Sequence, residues 1–302
     1  MGTHEYIEDP RNKSVLISIN GDLFPRREAK VSVFDAGFLL GDGIWESFRL
    51  QEGNLVFLEE HLDRLFEGAK SISLSIGRTR EEITREIQRV IEANGMEHEV
   101  HIRLVISRGI KPTPYQAPWV ISSGPTIVII PEFKKANPER LEIGISLVSV
   151  GIRRGGPEIQ NPRINSLSKH NCISACIEAD VKGGEEGLMM DPHGFVSTCN
   201  STHFFMVKEG EVWTSTGDYC LDGITRGKVL ELCGKNDIPF KMCNFTFEDV
   251  HTADEAFVTG TFAGLTPVNS FDGTTLGDGK RGPICKRLQT LYVDLVKGEK
   301  FV

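Results

Sequence analysis

A short polar segment, KKANPER at residues 134–140, constrains the fold most, because it interrupts the alternating strand-like and helix-like stretches of the chain. A proline among charged residues is typical of a linker between domains. The chain has 302 residues, which is more than one ordinary hydrophobic core accommodates. We therefore predict two domains, over residues 1–133 and 141–302, joined by the linker 134–140.

The first stretch has the pattern of an α+β domain. The turn Asn20-Gly21 lies between apolar runs and predicts a β-hairpin whose second strand covers residues 23–34. Apolar residues recurring three and four positions apart predict amphipathic helices. The predicted helices and the strands that follow them cover residues 59–72, 79–94, 101–109 and 126–133.

The second stretch is richer in strands. We predict a strand over residues 141–150, a helix from about Ser168 to Lys182, and then a series of short strands. A further helix is predicted after the turn at Gly223, and a last one from about Gly282. Both stretches together predict an α+β fold class.

Composition excludes several functional classes. The formal net charge is −8, which argues against nucleic acid or an anionic membrane as the main partner. No run of apolar residues is long enough for a membrane span. The seven cysteines form no paired metal-binding motif, so we predict no metal site, reduced thiols and a cytoplasmic location.

Four short segments have the composition of a phosphate-binding cradle. Thr225 follows a glycine turn where a helix begins, and the N-terminus of a helix favours an anion. The other three segments are Thr259-Gly260-Thr261, Asn200-Ser201-Thr202 with Ser201 as a cofactor contact, and HLDRL with Arg64 as a fixed charge. Taken singly, Arg64 also fits a surface helix and Gly223 an ordinary helix cap.

In chain order, five motifs resemble the class IV aminotransferases: DAGFLLGDGIWESFRL, HLDRL, GITRGKVLELC, ADEAFVTGTFAGLTPV and DGTTLGDGKRGPICKRLQTLY. The resemblance implies the two-domain fold type IV, with a small α/β N-terminal domain and a larger, β-barrel-like C-terminal domain with helices. It also implies a homodimer and pyridoxal 5'-phosphate between the domains. By the same resemblance, Arg64, Ile224, Thr225 and Thr261 hold the cofactor phosphate.

Two positions depart from the family pattern. An ungapped alignment from Arg153-Arg154 to Glu178-Ala179 places the family's catalytic lysine on Asn165, and an amide nitrogen is not nucleophilic. The family's glutamate at the pyridine nitrogen falls on Thr198, which can form a hydrogen bond there but holds a proton only weakly.

Lys169 lies four residues after Asn165, about 6 Å away if a helix has begun there. A lysine side chain covers that distance, so Lys169 is predicted as the relocated lysine that forms a Schiff base with the cofactor aldehyde and carries a proton. The alternative is a solvated lysine on a helix.

The sequence therefore predicts a pyridoxal-phosphate-dependent transaminase. It would move an amino group from an amino acid or amine donor to a 2-oxo acid acceptor, with Lys169 as the catalytic residue. Two alternatives stay open. One is a lyase of the aminodeoxychorismate type, and the other is a catalytically silent relative that only binds the cofactor or another phosphate ligand. Phe38 and Trp45 fit either a substrate pocket or the core.

Overall fold

The computed structural model describes Thr3 and residues 7–298, and the chain divides into two compact units. The small unit comprises Ile7–Lys135 together with Ile164–Lys169. The large unit comprises Ala136–Arg163 and the described residues from His170 onward. Residues 1–2, 4–6 and 299–302 of the two predicted domains lie outside the described residues.

The small unit is an antiparallel sheet with helices. After a 3-10 helix at Pro10–Ser14, its elements in chain order are β1 Leu16–Ile19, β2 Asp22–Pro25, α1 Ala36–Leu40, β3 Gly43–Gln51, β4 Asn54–Leu55, α2 Leu58–Ser71, α3 Arg80–Ala93, β5 Val100–Ser107 and β6 Thr126–Phe133. The strand order is β2-β1-β6-β5-β3-β4. This arrangement places β3 beside β5 near one edge of the sheet.

The predicted helices of the small unit are confirmed, and their apolar faces build its core. In α2, Leu62 and Leu65 are buried, and in α3 Ile83 and Ile87 are buried. They belong to one cluster with Phe48 and other side chains of the sheet. Because successive strand residues point to opposite faces, the side chains of β3 alternate between this core and the other face of the sheet.

The predicted hairpin is confirmed only in part. Strands β1 and β2 pair from Leu16 with Pro25 to Ile19 with Asp22, and Asn20 has a positive φ of 53°. The predicted second strand was too long, because β2 ends at Pro25. Pro25 is followed by a turn in which the Glu28 amide donates to the Pro25 carbonyl oxygen, which leads the chain away from the sheet.

The described residues of the large unit form a mixed sheet and five helices. Its elements are α4 Pro138–Ile143, β7 Ile145–Ser149, α5 His170–Val181, β8 Glu186–Met190, β9 Val196–Cys199, β10 His203–Lys208, β11 Glu211–Thr214, α6 Ile224–Lys235, β12 Phe240–Met242, α7 Phe247–His251, β13 Glu255–Gly260, β14 Gly264–Phe271, β15 Thr274–Thr275 and α8 Pro283–Gly298.

The sheet of the large unit is a curled half-barrel with the strand order β12-β11-β10-β13-β14-β7-β8-β9, and β15 pairs with β14. Although β9 is at one end of this order, a tight turn connects it to β10, in which the Cys199 amide donates to the Thr202 carbonyl oxygen. A buried cluster containing Phe204, Phe245 and Phe271 fills the inside. The predicted α+β fold class is confirmed.

Two predicted boundaries in the large unit were wrong. Residues 141–143 of the predicted strand are helical, because Asn137 caps the helix Pro138–Ile143 and Pro138 occupies its first turn. Strand β7 therefore starts only at Ile145. The helix predicted from Ser168 begins at His170, so Lys169 precedes the helix.

Candidate active site

The segment Ile164–Lys169 lies along β3 in the small unit. Ser166 forms an antiparallel bridge with Ile44, and the Trp45 amide donates to the Asn165 carbonyl oxygen at 2.9 Å. A Cβ on Gly43 would lie 2.5 Å from the Ile106 carbonyl oxygen and 2.6 Å from Leu167 Cδ1. Glycine at position 43 therefore allows the segment to approach the sheet closely.

This segment brings Lys169 back to Asn165. Lys169 Nζ donates a hydrogen bond to Asn165 Oδ1 at 3.0 Å and lies 5.2 Å from the centroid of the Trp45 ring. Asn165 is buried and Lys169 is half-buried. The contact does not arise from a helical turn, because residues 165–169 are not helical. The lysine side chain instead folds back beside the extended segment.

Trp45 is a further side chain beside Asn165 and Lys169. Its indole Nε1 donates to the Ser166 carbonyl oxygen at 3.2 Å, and the Arg103 guanidinium lies 4.0 Å from the ring centroid. Arg103 was missed in the sequence, although its alternate position in the run HIRLVIS indicates that it leaves the core face of the strand. Trp45 pairs with Val105 and Ser47 with Arg103, so Trp45 and Arg103 are diagonal neighbours.

Arg64 lies on the core side of the same strand. Arg64 Nε and Nη2 donate to the two carboxylate oxygens of Glu46 at 2.7 and 2.8 Å, and His61 Nδ1 lies 2.7 Å from the same carboxylate. Burial raises the pKa of Glu46, but the charge of Arg64 and the hydrogen bonds from Arg64 and His61 outweigh it and lower the pKa to about 2. A phosphate at Arg64 would meet a guanidinium that already shares its charge with Glu46.

In the large unit, α6 begins at Ile224 after Gly223, which provides no side-chain cap. Thr225 and Arg226 in the first turn are buried. Arg226 Nη2 donates to the Ser215 carbonyl oxygen at 2.9 Å, while its buried Nε has no hydrogen-bond partner among the described residues. The backbone N–H groups of such a helix start are suited to an anion.

The helix α6 packs against β13, the strand that ends at Gly260. The buried Thr259 hydroxyl has no hydrogen-bond partner within the part of the chain that the structure describes. Thr261 follows at a half-buried position, and a Cβ on Gly260 would make an ordinary van der Waals contact with Thr202 Cγ2 at 3.8 Å. Thr225, Thr259 and Thr261 all belong to the large unit.

Thr198 lies in β9, and Ser201 lies in the turn between β9 and β10. The Thr198 hydroxyl donates to the Thr202 carbonyl oxygen at 2.9 Å. The Ser201 and Thr202 hydroxyls donate to the Glu186 carboxyl group at 2.7 and 2.5 Å. Burial raises the pKa of Glu186, and these hydrogen bonds offset the increase only partly. Glu186 was missed in the sequence, where nothing but its position in a strand distinguishes it.

Two further features concern metal binding and membrane spans. Among Thr3 and residues 7–298, no group of three or more histidine, cysteine, aspartate or glutamate side chains is arranged to hold a metal ion. Of the helices formed by these same residues, none combines the length and apolar character that crossing a membrane requires.

Comparisons with known proteins show the family and the fold of the chain. The family model "Amino-transferase class IV" matches residues 43–271. The "Branched-chain-amino-acid aminotransferase-like protein 2" of Arabidopsis thaliana is 39% identical over 289 residues, which cover 96% of this chain and 52% of that protein. The "Putative branched-chain-amino-acid aminotransferase" of Methanocaldococcus jannaschii is 34% identical, with coverage of 92% and 96%. The chain spans about half the length of the Arabidopsis relatives that it matches.

A similar solved structure is the branched-chain aminotransferase from the archaeon Thermoproteus uzoniensis with norvaline. It superposes with a TM-score of 0.85 at 29% sequence identity, and the match covers 95% of this chain and 96% of that one. The predicted fold type IV is therefore confirmed. From the family match and the two relatives together, this chain belongs to the class IV amino-transferase family.

Proposed function

We propose that the protein is a pyridoxal-phosphate-dependent transaminase in which Lys169 replaces the family's lysine at position 165. It would transfer an amino group from an amino acid or amine to a 2-oxo acid. The observation that carries the proposal is the 3.0 Å hydrogen bond from Lys169 Nζ to Asn165 Oδ1. A primary amine thus lies at the side chain of Asn165, the residue that we align with the family's lysine.

The residues present fit the phosphate of this cofactor in the large unit. A helix start without a side-chain cap, a buried hydroxyl without a partner among the described residues and a glycine next to them are features that suit a phosphate. We therefore propose that Ile224, Thr225 and Thr261 contact the phosphate, with Ser201 as a neighbouring contact. Arg64 stays a proposed phosphate ligand, with its charge shared with Glu46.

When bound, pyridoxal phosphate supplies an aldehyde that a lysine amine can attack and a ring that withdraws electrons from the reacting carbon. Lys169 would attach the cofactor through its aldehyde. Its amine would then carry the proton between the substrate Cα and the aldehyde carbon of the cofactor. Asn165 would hold the Lys169 amine through its amide oxygen. Asn165 itself cannot act as the nucleophile, because its nitrogen is an amide.

Thr198 would act at the pyridine nitrogen. A hydroxyl group has a single proton to donate, and the Thr198 proton is used in the bond to the Thr202 carbonyl oxygen. Its oxygen can therefore only accept a hydrogen bond from the ring. Because a neutral acceptor holds a proton less strongly than a carboxylate does, we propose a slower turnover than in a relative with glutamate at this position.

We also propose a homodimer in which the helix α5 contacts its counterpart. Ile173, Ile177 and Val181 are 52%, 60% and 81% exposed and lie four residues apart along one helix face. When two such helices pack antiparallel about Ile177, Ile173 faces Val181 of the partner subunit, so the row is complementary to itself. The seven free cysteines support a cytoplasmic location.

The homodimer is tested by the sedimentation of the Ile177→Asp variant, which we expect to be monomeric at concentrations where the unchanged protein is dimeric. The matched control is Val293→Asp, since Val293 is a similarly exposed residue of α8. An Ile177→Asp protein that sediments as a dimer would contradict this interface.

The transaminase assignment is tested by mixing the protein loaded with pyridoxal phosphate with an amino donor in the absence of an acceptor. We expect the cofactor to be converted to pyridoxamine phosphate, followed by absorbance, and we expect the Lys169→Ala variant to lose this conversion. The Lys241→Ala variant is the control, because Lys241 also lies over a tryptophan ring. Binding of the cofactor without its conversion would identify a catalytically silent relative. Release of pyruvate in the absence of an acceptor would identify a lyase.

A further inference from the structure

Three contacts restrain Trp45 in the small unit. Its backbone amide donates to the Asn165 carbonyl oxygen at 2.9 Å, and its indole Nε1 donates to the Ser166 carbonyl oxygen at 3.2 Å. The Arg103 guanidinium lies 4.0 Å from the ring centroid. These contacts come from two neighbouring elements, so the ring has a defined orientation next to the segment that carries Asn165.

Lys169 meets both this ring and the side chain of Asn165. The ammonium group of a lysine is attracted to the face of an indole ring, and its N–H groups donate to an amide oxygen. The distances of 5.2 Å to the ring centroid and 3.0 Å to Asn165 Oδ1 satisfy both interactions at once. Without such contacts, the four-carbon side chain of a half-buried lysine would occupy many rotamers.

We infer that Trp45 and Asn165 are positioning residues that hold the Lys169 amine above residue 165, an assignment that rests on the proposed role of Lys169 as the attachment residue. Asn165 thus has a positioning role, in addition to standing at the position that we align with the family's lysine. Trp45 orients the Lys169 side chain, and Arg103 in turn fixes the Trp45 ring. The position at which the amine reacts is set by this stack and not by a helical turn.

The first test needs no cofactor. The lysines of the cofactor-free protein are reductively methylated with ¹³C-formaldehyde, and the Lys169 signal is identified by its absence in the Lys169→Arg variant. A group above an indole ring experiences the ring current, so we expect an upfield-shifted Lys169 signal in the unchanged protein and in Trp45→Phe. Trp45→Leu should lose the shift, whereas Trp213→Leu, which removes a tryptophan of the large unit, should keep it.

The second test uses pyridoxal phosphate and borohydride, and it measures the fraction of protein with reduced cofactor on Lys169. We expect Trp45→Leu to lower the initial rate of attachment about tenfold, and Trp45→Phe to retain most of it, because a phenylalanine ring preserves the aromatic face. Asn165→Ala should lower the rate less, since the ring contact remains. Circular dichroism and thermal unfolding of each variant identify any that fail to fold.

The outcomes separate the inference from the proposed function. If the unchanged protein shows the shifted Lys169 signal but attaches no cofactor there, the proposed function is wrong and the positioning contacts stand. If the folded Trp45→Leu variant attaches cofactor to Lys169 as fast as the unchanged protein, the positioning role is wrong and the proposed function stands. An unshifted Lys169 signal in the unchanged protein also overturns the positioning role.

Discussion

Each unit of the molecule contains a tryptophan ring with two cationic side chains over it, and the two sites differ in the group that holds the nearby lysine. In the small unit, Arg103 and Lys169 lie over Trp45, and Lys169 donates to the amide oxygen of Asn165. The large unit has Lys241 at 3.6 Å and Lys208 at 5.6 Å from the centroid of Trp213.

At the large-unit site, Lys241 Nζ lies 2.8 Å from a carboxylate oxygen of Glu211, and Trp213 Nε1 donates to the same oxygen. The hydrogen bond from Lys241 is the largest cause of the lowered pKa of Glu211. A carboxylate partner stabilises the ammonium form of a lysine, whereas an amide oxygen carries no charge that would do so. The two sites therefore differ in one lysine contact, which is a carboxylate for Lys241 and an amide oxygen for Lys169.

The largest effect is expected when the lysine at position 169 is removed and a lysine is introduced at position 165. The Lys169→Asn variant should lose transamination by a factor of about 10²–10⁴, the range for removal of a group that transfers protons. The double variant Asn165→Lys/Lys169→Asn returns a lysine to the family's position, and we expect it to recover a measurable part of the activity. Initial rates with one donor and one acceptor measure the effect. Equal activity of the single and double variants would contradict a relocated amine.

The second largest effect is expected at Glu46, the residue that follows Trp45 in β3. Glu46 is 1% exposed and pairs with Arg64 and His61 on the core side of β3. Replacing Glu46 by Gln removes the buried carboxylate charge that Arg64 contacts, so we expect the free energy of unfolding to fall by about 3 kcal/mol. Denaturant titration at neutral pH measures the loss, and a change near zero would show that the pair is dispensable.

The same carboxylate predicts a pH dependence. Because the folded-state pKa of Glu46 is lowered to about 2 from its ordinary value of 4.5, the contribution of Glu46 is complete above pH 4.5. It is lost as the pH falls from 4.5 to about 2. The Glu46→Gln variant should therefore lose less unfolding free energy than the unchanged protein over this interval, and a parallel loss in both proteins would be the contrary result.

An intermediate effect is expected when the small-unit site is made to resemble the large-unit site. Asn165→Asp preserves the shape of the side chain and places a carboxylate at the Lys169 amine. We expect the rate of cofactor attachment at Lys169 to fall about tenfold at neutral pH, because the ammonium form is stabilised. The rate should recover as the pH is raised. Attachment at an unchanged rate would mean that the neutral partner is irrelevant.

The smallest effect is expected from the opposite exchange in the large unit. Glu211→Gln removes the carboxylate beside Lys241, which is 41% exposed. Exposed ion pairs contribute little, so acetylation of Lys241 should become less than about threefold faster. Mass spectrometry of the acetylated peptides measures Lys241 and Lys169 together. A much larger increase at Lys241 would indicate that the partner residue alone determines lysine reactivity.

The sequence was sufficient for features that depend on neighbours along the chain. Apolar periodicity predicted α2 and α3, and Asn20-Gly21 predicted the first hairpin. The end of β2 at Pro25 and the start of α4 at Pro138 were missed, because local turn and capping geometry overrode the apolar pattern. The start of α5 was placed before Lys169, whereas the helix begins after it, at His170.

The candidate site was less accessible to sequence reasoning. Lys169 was found because it is the lysine nearest to Asn165, yet the contact depends on a segment that lies along β3. Arg103 and Glu46 were missed, since their roles depend on which strand lies beside β3 and which helix covers it. Such long-range pairing leaves no mark in the spacing of residues.

The measurement that tests the central claim most directly is the location of borohydride-reduced cofactor in the unchanged protein. The protein is incubated with pyridoxal phosphate, reduced and digested, and the modified peptides are mapped by mass spectrometry, with Lys241 as a comparison in the same digest. We predict that the label is found on Lys169 and that little is found on Lys241. Label spread over exposed lysines, or no label at all, would contradict a relocated catalytic lysine.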